Sequence, residues 1–294
     1  MIEAQRPADS LRETTLPANP AMSDQSTAIL RLLGDEDPET VAMVKRKLEE
    51  VSTLSSLAEL RAAAEGRAAA HLDELMARRR QSDADAKFTA LCQSFPEMGD
   101  VEEASWLFAA ALRPEADFSE ARQRLDEWGA RLQQHLQGIS GAEEKVTALA
   151  EFMTRDVRLR GNEGDYYNIE NSLLPRVIES RRGIPITMAL VYQLVAKRAG
   201  LSIDGVGLPG HFVARHEAVF FDPFHGGKRI GLEECAALLE QQNLVLTPQH
   251  LMPTTPRQML IRMLTNVYYI GERNDPALAA KVEGWIGVLR EHHP

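Results

Sequence analysis

Residues 183–223 have the sequence GIPITMALVYQLVAKRAGLSIDGVGLPGHFVARHEAVFFDP. The first part predicts one helix from Pro185 to Arg198, because proline favours the first helical position and Gly200 ends the helix. Its side chains are apolar nearly all round, which is typical of a buried central helix. After Gly200 the apolar period changes from about 3.6 residues to two. Three strands are therefore predicted, at 201–208, 211–215 and 218–222. A buried helix followed by short strands predicts an α+β fold.

Helical patterns lie on both sides of this region. The sequence predicts four segments: a disordered tail at 1–26, a helical region at 27–138, a core at 139–250 and C-terminal helices at 251–294. The tail contains prolines and scattered charges without an apolar core, so it lacks a signal-peptide pattern. We therefore expect a cytoplasmic protein.

Composition excludes several classes of protein. Of the 294 residues, 44% are hydrophobic and 26% are charged, as in ordinary globular chains. Charges interrupt every apolar run, so no membrane partner is expected. The net charge of −10 disfavours binding to phosphate backbones, so nucleic acid is not expected as a partner. Two cysteines exclude a disulfide framework and an all-cysteine zinc site. The sequence predicts no metal site and no cofactor.

Both cysteines lie in helical apolar patterns. Cys92 lies between Phe88 and Phe95 at the spacing of a buried helix face, and Cys235 lies in a similar pattern with Leu232 and Leu239. Free cysteines are often buried as small apolar residues. We expect Cys92 and Cys235 to be core residues rather than nucleophiles.

His211 and Asp222 are candidates for a hydrogen-bonded pair. If a two-residue hairpin loop is centred on the His216–Glu217 step, the two residues lie directly opposite each other on one sheet face. The carboxylate would then orient the imidazole, as in the second half of a nucleophile–His–Asp triad. Spacing alone supports an ordinary turn role for each residue equally well.

Four separated motifs, in order, resemble one family. They are Tyr166-Tyr167-x-x-x-Asn171-Ser172, Arg181-Arg182-Gly183-Ile184-Pro185-Ile186-Thr187, Gly207-Leu208-Pro209-Gly210-His211-Phe212 and Phe221-Asp222-Pro223-Phe224-x-Gly226-Gly227. This pattern resembles the SirB1 family of the transglutaminase-like superfamily. The resemblance implies a papain/transglutaminase-like core, in which a central helix packs on a small antiparallel sheet. It also implies tetratricopeptide-type helices near the C-terminus.

The resemblance implies a triad that lacks its nucleophile. Active members of the superfamily carry a cysteine at the start of the central helix, and Pro185 occupies the matching position. His211 and Asp222 match the other two triad members. Proline has no nucleophilic side chain, so the resemblance implies a pseudoenzyme.

Six further residues are candidates for a binding site. The backbone N–H groups of Ile186 and Thr187 at the helix start suit a carboxylate or phosphate. Arg182 can supplement them, and an ordinary solvated surface side chain is the competing explanation. Tyr167, Asn171 and Ser172 are expected to line or brace the pocket near the helix entrance, and a purely structural role is an equal alternative.

The sequence leaves more than one function open. The first hypothesis is a non-catalytic regulatory, binding or scaffold module that recognises an unknown protein or a small acidic ligand. The alternative is an active amide or peptide hydrolase, or an acyl transferase, with an unusual nucleophile. In that alternative His211 acts as base and Asp222 orients it. A purely helical adaptor is a third hypothesis.

Overall fold

The computed structural model describes residues 23–291 of the chain. Within them the α-helices are α1 (Asp24–Leu33), α2 (Pro38–Val51), α3 (Leu54–Ala62), α4 (Gly66–Ser94), α5 (Val101–Leu112), α6 (Ser119–His135), α7 (Ala142–Glu151), α8 (Leu174–Ser180), α9 (Pro185–Arg198), α10 (Leu232–Glu240), α11 (Pro256–Asn274) and α12 (Pro276–Glu291). The strands are β1 (Arg160–Gly161), β2 (Arg182–Gly183), β3 (Asp204–Leu208), β4 (His211–His216), β5 (Val219–Asp222) and β6 (Lys228–Ile230). A π-helical turn, Phe152–Asp156, continues α7. Short 3-10 turns lie at Ile169–Ser172 and Pro248–Leu251.

The start of the first helix bears on the predicted tail. Most of the segment 1–26 lies outside the described residues, but α1 begins at Asp24 and so includes the last three residues of that segment. The hydroxyl of Ser23 accepts the Ser26 N–H, which caps the helix. In the described range, every helix is too short or too polar to cross a lipid bilayer.

The chain divides into two compact units, residues 1–79 and 80–294. In the first unit, Leu33, Leu57, Leu72 and Leu75 are among the buried residues of one apolar core. The division falls inside the helical region predicted at 27–138. The boundaries predicted at 138/139 and 250/251 stay predictions.

Helix α9 lies at the centre of the second unit. All but three of its residues are buried, and it packs against α6, α8 and strand β4. Its N-terminal proline has no N–H to leave unpaired, and Gly200 adopts a φ of +78° just after the helix ends. The predictions of a buried central helix and of an α+β class are confirmed.

The main sheet is an antiparallel meander in the order β3-β4-β5-β6. Phe212, Ala214 and Phe221 contribute to the apolar core that contains α9, whereas Val206 and Val213 pack with Cys235 of α10. The fourth strand, β6, was not predicted, because it has three residues and two of them are Lys228 and Arg229. Strands β1 and β2 form a separate parallel pair.

The free side of β3 is covered by the chain that precedes α11. The Thr254 N–H donates to the Gly205 carbonyl at 2.8 Å, and the Thr254 hydroxyl accepts the Gly207 N–H at 2.8 Å. Thr254, which lies outside the sheet, thus forms hydrogen bonds that a fifth strand would otherwise form with β3.

The two C-terminal helices pack onto the second unit. Trp285 of α12 contacts Phe88 edge to face, with ring centroids 4.8 Å apart, in an apolar cluster that also contains Leu264 of α11. The buried Arg257 donates two hydrogen bonds to the Leu289 carbonyl. This contact ties the start of α11 to the end of α12.

Candidate functional site

The start of α9 is buried, and the Thr187 hydroxyl there is both a hydrogen-bond donor and a hydrogen-bond acceptor. Pro185, Ile186 and Thr187 are all buried. The Thr187 hydroxyl donates to the Asn171 carbonyl at 2.7 Å and accepts the Ile184 N–H at 3.2 Å. This hydroxyl therefore caps the helix and braces a neighbouring turn. Among residues 23–291, all the hydrogen bonds of this hydroxyl are to backbone groups, so no side-chain base accepts its proton.

His211 and Asp222 are in direct contact. The Nε2 atom of His211 lies 2.7 Å from the Oδ2 atom of Asp222, and their side chains are 10% and 7% exposed. Nδ1 of His211 has no hydrogen-bond partner among residues 23–291. The carboxylate thus orients the ring through Nε2, and in the neutral ring Nδ1 carries the lone pair.

The predicted hairpin register is wrong by one residue at the loop. The strands pair Ala214 with Phe221 and His216 with Val219, so the loop is Glu217–Ala218. Glu217 adopts a φ of +52°, a conformation that the sequence does not signal with glycine or asparagine. Asp222 consequently lies diagonal to His211 instead of opposite it. The pair still meets, because a shift of two partner positions keeps both side chains on one face.

Asp222 accepts hydrogen bonds on both of its oxygens. Oδ2 lies 2.7 Å from Nδ1 of His225 as well as from His211, and Oδ1 accepts the backbone N–H groups of Phe224 and His225 at 2.9 and 3.3 Å. Burial raises the pKa of Asp222, but the hydrogen bonds and charges of His211 and then of His225 outweigh it. The net pKa of this carboxyl group lies below its usual range.

His225 was missed by the sequence analysis. It follows Asp222 by three residues, in the turn that begins with Asp222-Pro223, and its side chain is 52% exposed. The available signal was an Asx-type turn, in which the side chain of an aspartate binds the backbone a few residues later. In such a turn, the residue three positions after the aspartate lies close to the aspartate's carboxylate.

Asn171 and Ser172, two of the predicted binding residues, are buried, and their side chains differ in their contacts. The Asn171 amide donates to the Asp165 carbonyl at 2.6 Å, and its side-chain oxygen accepts from Asn162 at 2.9 Å. Asn171 therefore braces the loop between β1 and α8. The hydroxyl of Ser172 is buried and has no partner in the described range.

The other two predicted binding residues are at the surface. Tyr167 is 62% exposed, and the Arg273 guanidinium lies 4.9 Å from its ring centroid. Arg182 is exposed, and its backbone pairs with Arg160 in the parallel ladder. The structure therefore does not gather the six predicted binding residues into one pocket: Asn171 and Thr187 are joined, whereas Tyr167 and Arg182 face solvent.

We predict that iodoacetamide will not modify either cysteine of the native protein. Cys92 and Cys235 are buried, and burial raises the pKa of both thiols, that of Cys92 to about 12. At pH 8 less than about one Cys92 thiol in a thousand is ionised, and only the thiolate reacts. Intact mass should show no adduct before unfolding and two adducts after it. An adduct on the native chain would show that a reactive cysteine exists.

Comparisons with known proteins agree with this architecture. The family model of the transglutaminase-like superfamily matches residues 119–265, half of the chain. The chain is 32% identical to a UPF0162 protein of Xylella fastidiosa over 141 residues, which are 45% of this chain and 50% of that protein. It is 27% identical to a UPF0162 protein of Pseudomonas aeruginosa over 186 residues, 61% of this chain and 67% of that protein.

A longer eukaryotic protein also matches. The chain is 30% identical to F-box only protein 21 of Mus musculus over 129 residues, 40% of this chain and 20% of that protein. No solved structure matches the chain. The chain spans about half the length of the Xylella fastidiosa relatives that it matches. The matched residues include α9, the four-stranded sheet and the contact between His211 and Asp222, and the chain belongs to the transglutaminase-like superfamily.

Proposed function

We propose that this protein is a non-catalytic transglutaminase-like module of the SirB1 family that acts as a regulatory, binding or scaffold protein in the cytoplasm. The observation that carries the proposal is Pro185 at the first position of α9, where active members of the superfamily carry cysteine. Proline has no side-chain atom that can attack a carbonyl. The retained pair of His211 and Asp222 then has no thiol to activate.

The neighbouring groups do not replace the thiol. Thr187 uses its hydroxyl to cap α9. Cys92 and Cys235 are the only cysteines of the chain, and both are buried with raised pKa values. These observations support a site that lacks a nucleophile, rather than one in which another residue supplies it.

A binding role is supported by what remains. The positive end of α9 favours an acidic group on a small ligand or a partner protein. Tyr167 offers an exposed aromatic surface for such a partner. A similar segment makes up 20% of F-box only protein 21, which supports use of this domain as one module among others.

The alternative is an active hydrolase or acyl transferase with an unusual nucleophile. It is favoured by the 2.7 Å contact between His211 and Asp222 and by Nδ1 of His211, which has no hydrogen-bond partner in the described part of the chain. In this alternative His211 is the general base and Asp222 holds its orientation.

The substitution Pro185→Cys tests the position on which the proposal rests. We expect the new thiol to have an apparent pKa below about 7.5, because a helix N-terminus stabilises a thiolate, as does the His211 imidazole that the proposal places beside it. The pH dependence of its alkylation rate measures this pKa. Ser119→Cys is the matched control, since Ser119 is also the first residue of a helix and lies outside the candidate site.

Two results would contradict the proposal. A Pro185→Cys thiol whose pKa is no lower than that of the control would show that Pro185 is not the nucleophile position. Turnover of amide or ester substrates by the natural chain that His211→Ala abolishes would show that the protein is an enzyme. Far-UV circular dichroism of each variant verifies that it is folded.

A further inference from the structure

Three side chains place metal-binding atoms close together. Nε2 of His211 and Nδ1 of His225 each lie 2.7 Å from Oδ2 of Asp222, and each of the three residues offers a ligand atom within 4.8 Å of those of the other two. Two imidazole nitrogens and one carboxylate oxygen form a donor set that suits Zn²⁺ and related divalent first-row metal ions. We propose that His211, Asp222 and His225 bind one such ion, with Zn²⁺ as the best match.

The surroundings of Asp222 orient the carboxylate for this role. Its second oxygen, Oδ1, accepts the backbone N–H groups of Phe224 and His225. Metal-binding carboxylates are commonly held by such outer hydrogen bonds. Because Oδ1 is held by the turn, Oδ2 is the oxygen that faces both imidazoles.

The change from hydrogen bonds to metal ligation requires little movement. Around tetrahedral Zn²⁺ with bonds of about 2.1 Å, neighbouring donor atoms lie roughly 3.4 Å apart. The 2.7 Å contacts must therefore open by about 0.7 Å, and the two imidazole nitrogens must come to the same spacing. His225 can supply this change, because its side chain is 52% exposed and lies on a turn.

The protons on the two rings can also move at the cost of only their hydrogen bonds to Asp222, which metal ligation would replace. In the metal-free protein, each imidazole N–H donates to Oδ2 of Asp222. Ligation needs lone pairs at those nitrogens, so the protons must move to Nδ1 of His211 and Nε2 of His225. Neither of these atoms has a hydrogen-bond partner among residues 23–291. The other tautomer therefore loses no second interaction.

The sequence analysis predicted no metal site and did not select His225, which is one of the three ligands. With three protein ligands, the ion would keep one coordination position for water or for an anionic group. The inference does not rest on the proposed function, because Pro185→Cys reports on the helix start, whereas metal titration reports on these three ligands.

Calorimetric titration of the metal-free full chain with ZnCl₂ tests the inference. The background carries His292→Ala and His293→Ala, because these two adjacent histidines can chelate metals by themselves. We expect one ion per chain. His225→Ala should weaken binding by about a hundredfold or more, since outer-shell changes alone cost about 10–100-fold. Co²⁺ in place of Zn²⁺ should give the visible absorption of a mixed nitrogen and oxygen ligand set.

His250→Ala is the control, because His250 is a partly buried histidine outside the three ligands. It should bind Zn²⁺ as the background does. His225→Ala leaves the contact between His211 and Asp222 in place, so its thermal unfolding without metal should stay close to that of the background. The inference is overturned if there is no saturable binding, or if His225→Ala binds as tightly as His250→Ala.

Discussion

Asp222→Ala should lower the free energy of unfolding of the second unit by about 3 kcal/mol or more, since a hydrogen bond to a charged group is worth about 1.5–3 kcal/mol. The carboxylate accepts from two imidazoles and two backbone N–H groups. Its removal leaves the buried Phe224 N–H without an acceptor and releases the turn that carries His225. Few other side chains in this unit connect as many separate groups.

Urea unfolding followed by tryptophan fluorescence measures this effect. The three tryptophans, Trp106, Trp128 and Trp285, all lie in the unit formed by residues 80–294, so the signal reports on that unit. Asp204→Ala is the matched control, because Asp204 lies in the same sheet and its side chain is 43% exposed. Its ion pair with Arg215 should contribute no more than about 1 kcal/mol. Equal losses for the two variants would show that Asp222 does not organise this turn.

Gly227→Ala should also destabilise the second unit, by about 3 kcal/mol. Gly227 has a φ of +73°, and a Cβ atom there would lie 2.5 Å from the Cβ atom of Ala150. The left-handed conformation costs an alanine about 1–2 kcal/mol, and overpacking adds about 1–3 kcal/mol. Both penalties act at the end of the turn that begins with Asp222, because the Gly227 N–H donates to the Asp222 carbonyl.

Gly200→Ala separates the two penalties. Gly200 has a φ of +78°, but a Cβ atom there would meet no atom within 4 Å. Gly200→Ala should therefore lower the free energy of unfolding only by the conformational penalty, about 1–2 kcal/mol. In an Ala150→Gly background, the extra loss from Gly227→Ala should shrink, since the closest clash is gone. The same fluorescence measurement applies, and losses that match those of Gly200→Ala would show that Gly227 is not tightly packed.

The sequence predicted the central helix well because its signals are local. Residues 185–198 can be interpreted only as a buried helix. The segment has a proline at its start, a glycine after its end and apolar residues nearly all round. The strands of 201–222 were predicted by their alternation, although β3 begins only at Asp204. β6 could not be predicted in this way, since three residues are too few to show a period.

The candidate site was less accessible to sequence reasoning, because contacts between elements decide it. The hairpin register depends on the left-handed conformation of Glu217. A glycine or asparagine would have indicated this conformation, but a glutamate does not. His225 reaches Asp222 through a turn rather than through a strand or a helix. Thr187 was selected for its backbone N–H group, whereas its hydroxyl donates to the Asn171 carbonyl, which comes from a 3-10 turn sixteen residues earlier.

The two outer strands of the four-stranded sheet have a consequence for behaviour at high protein concentration. An uncovered strand can pair with a second molecule and start aggregation. Thr254 occupies this position on β3, and β6 places Lys228 and Arg229 on a strand only three residues long. The two edges thus resist intermolecular pairing by different means, one by occupied hydrogen-bonding groups and the other by charge and shortness.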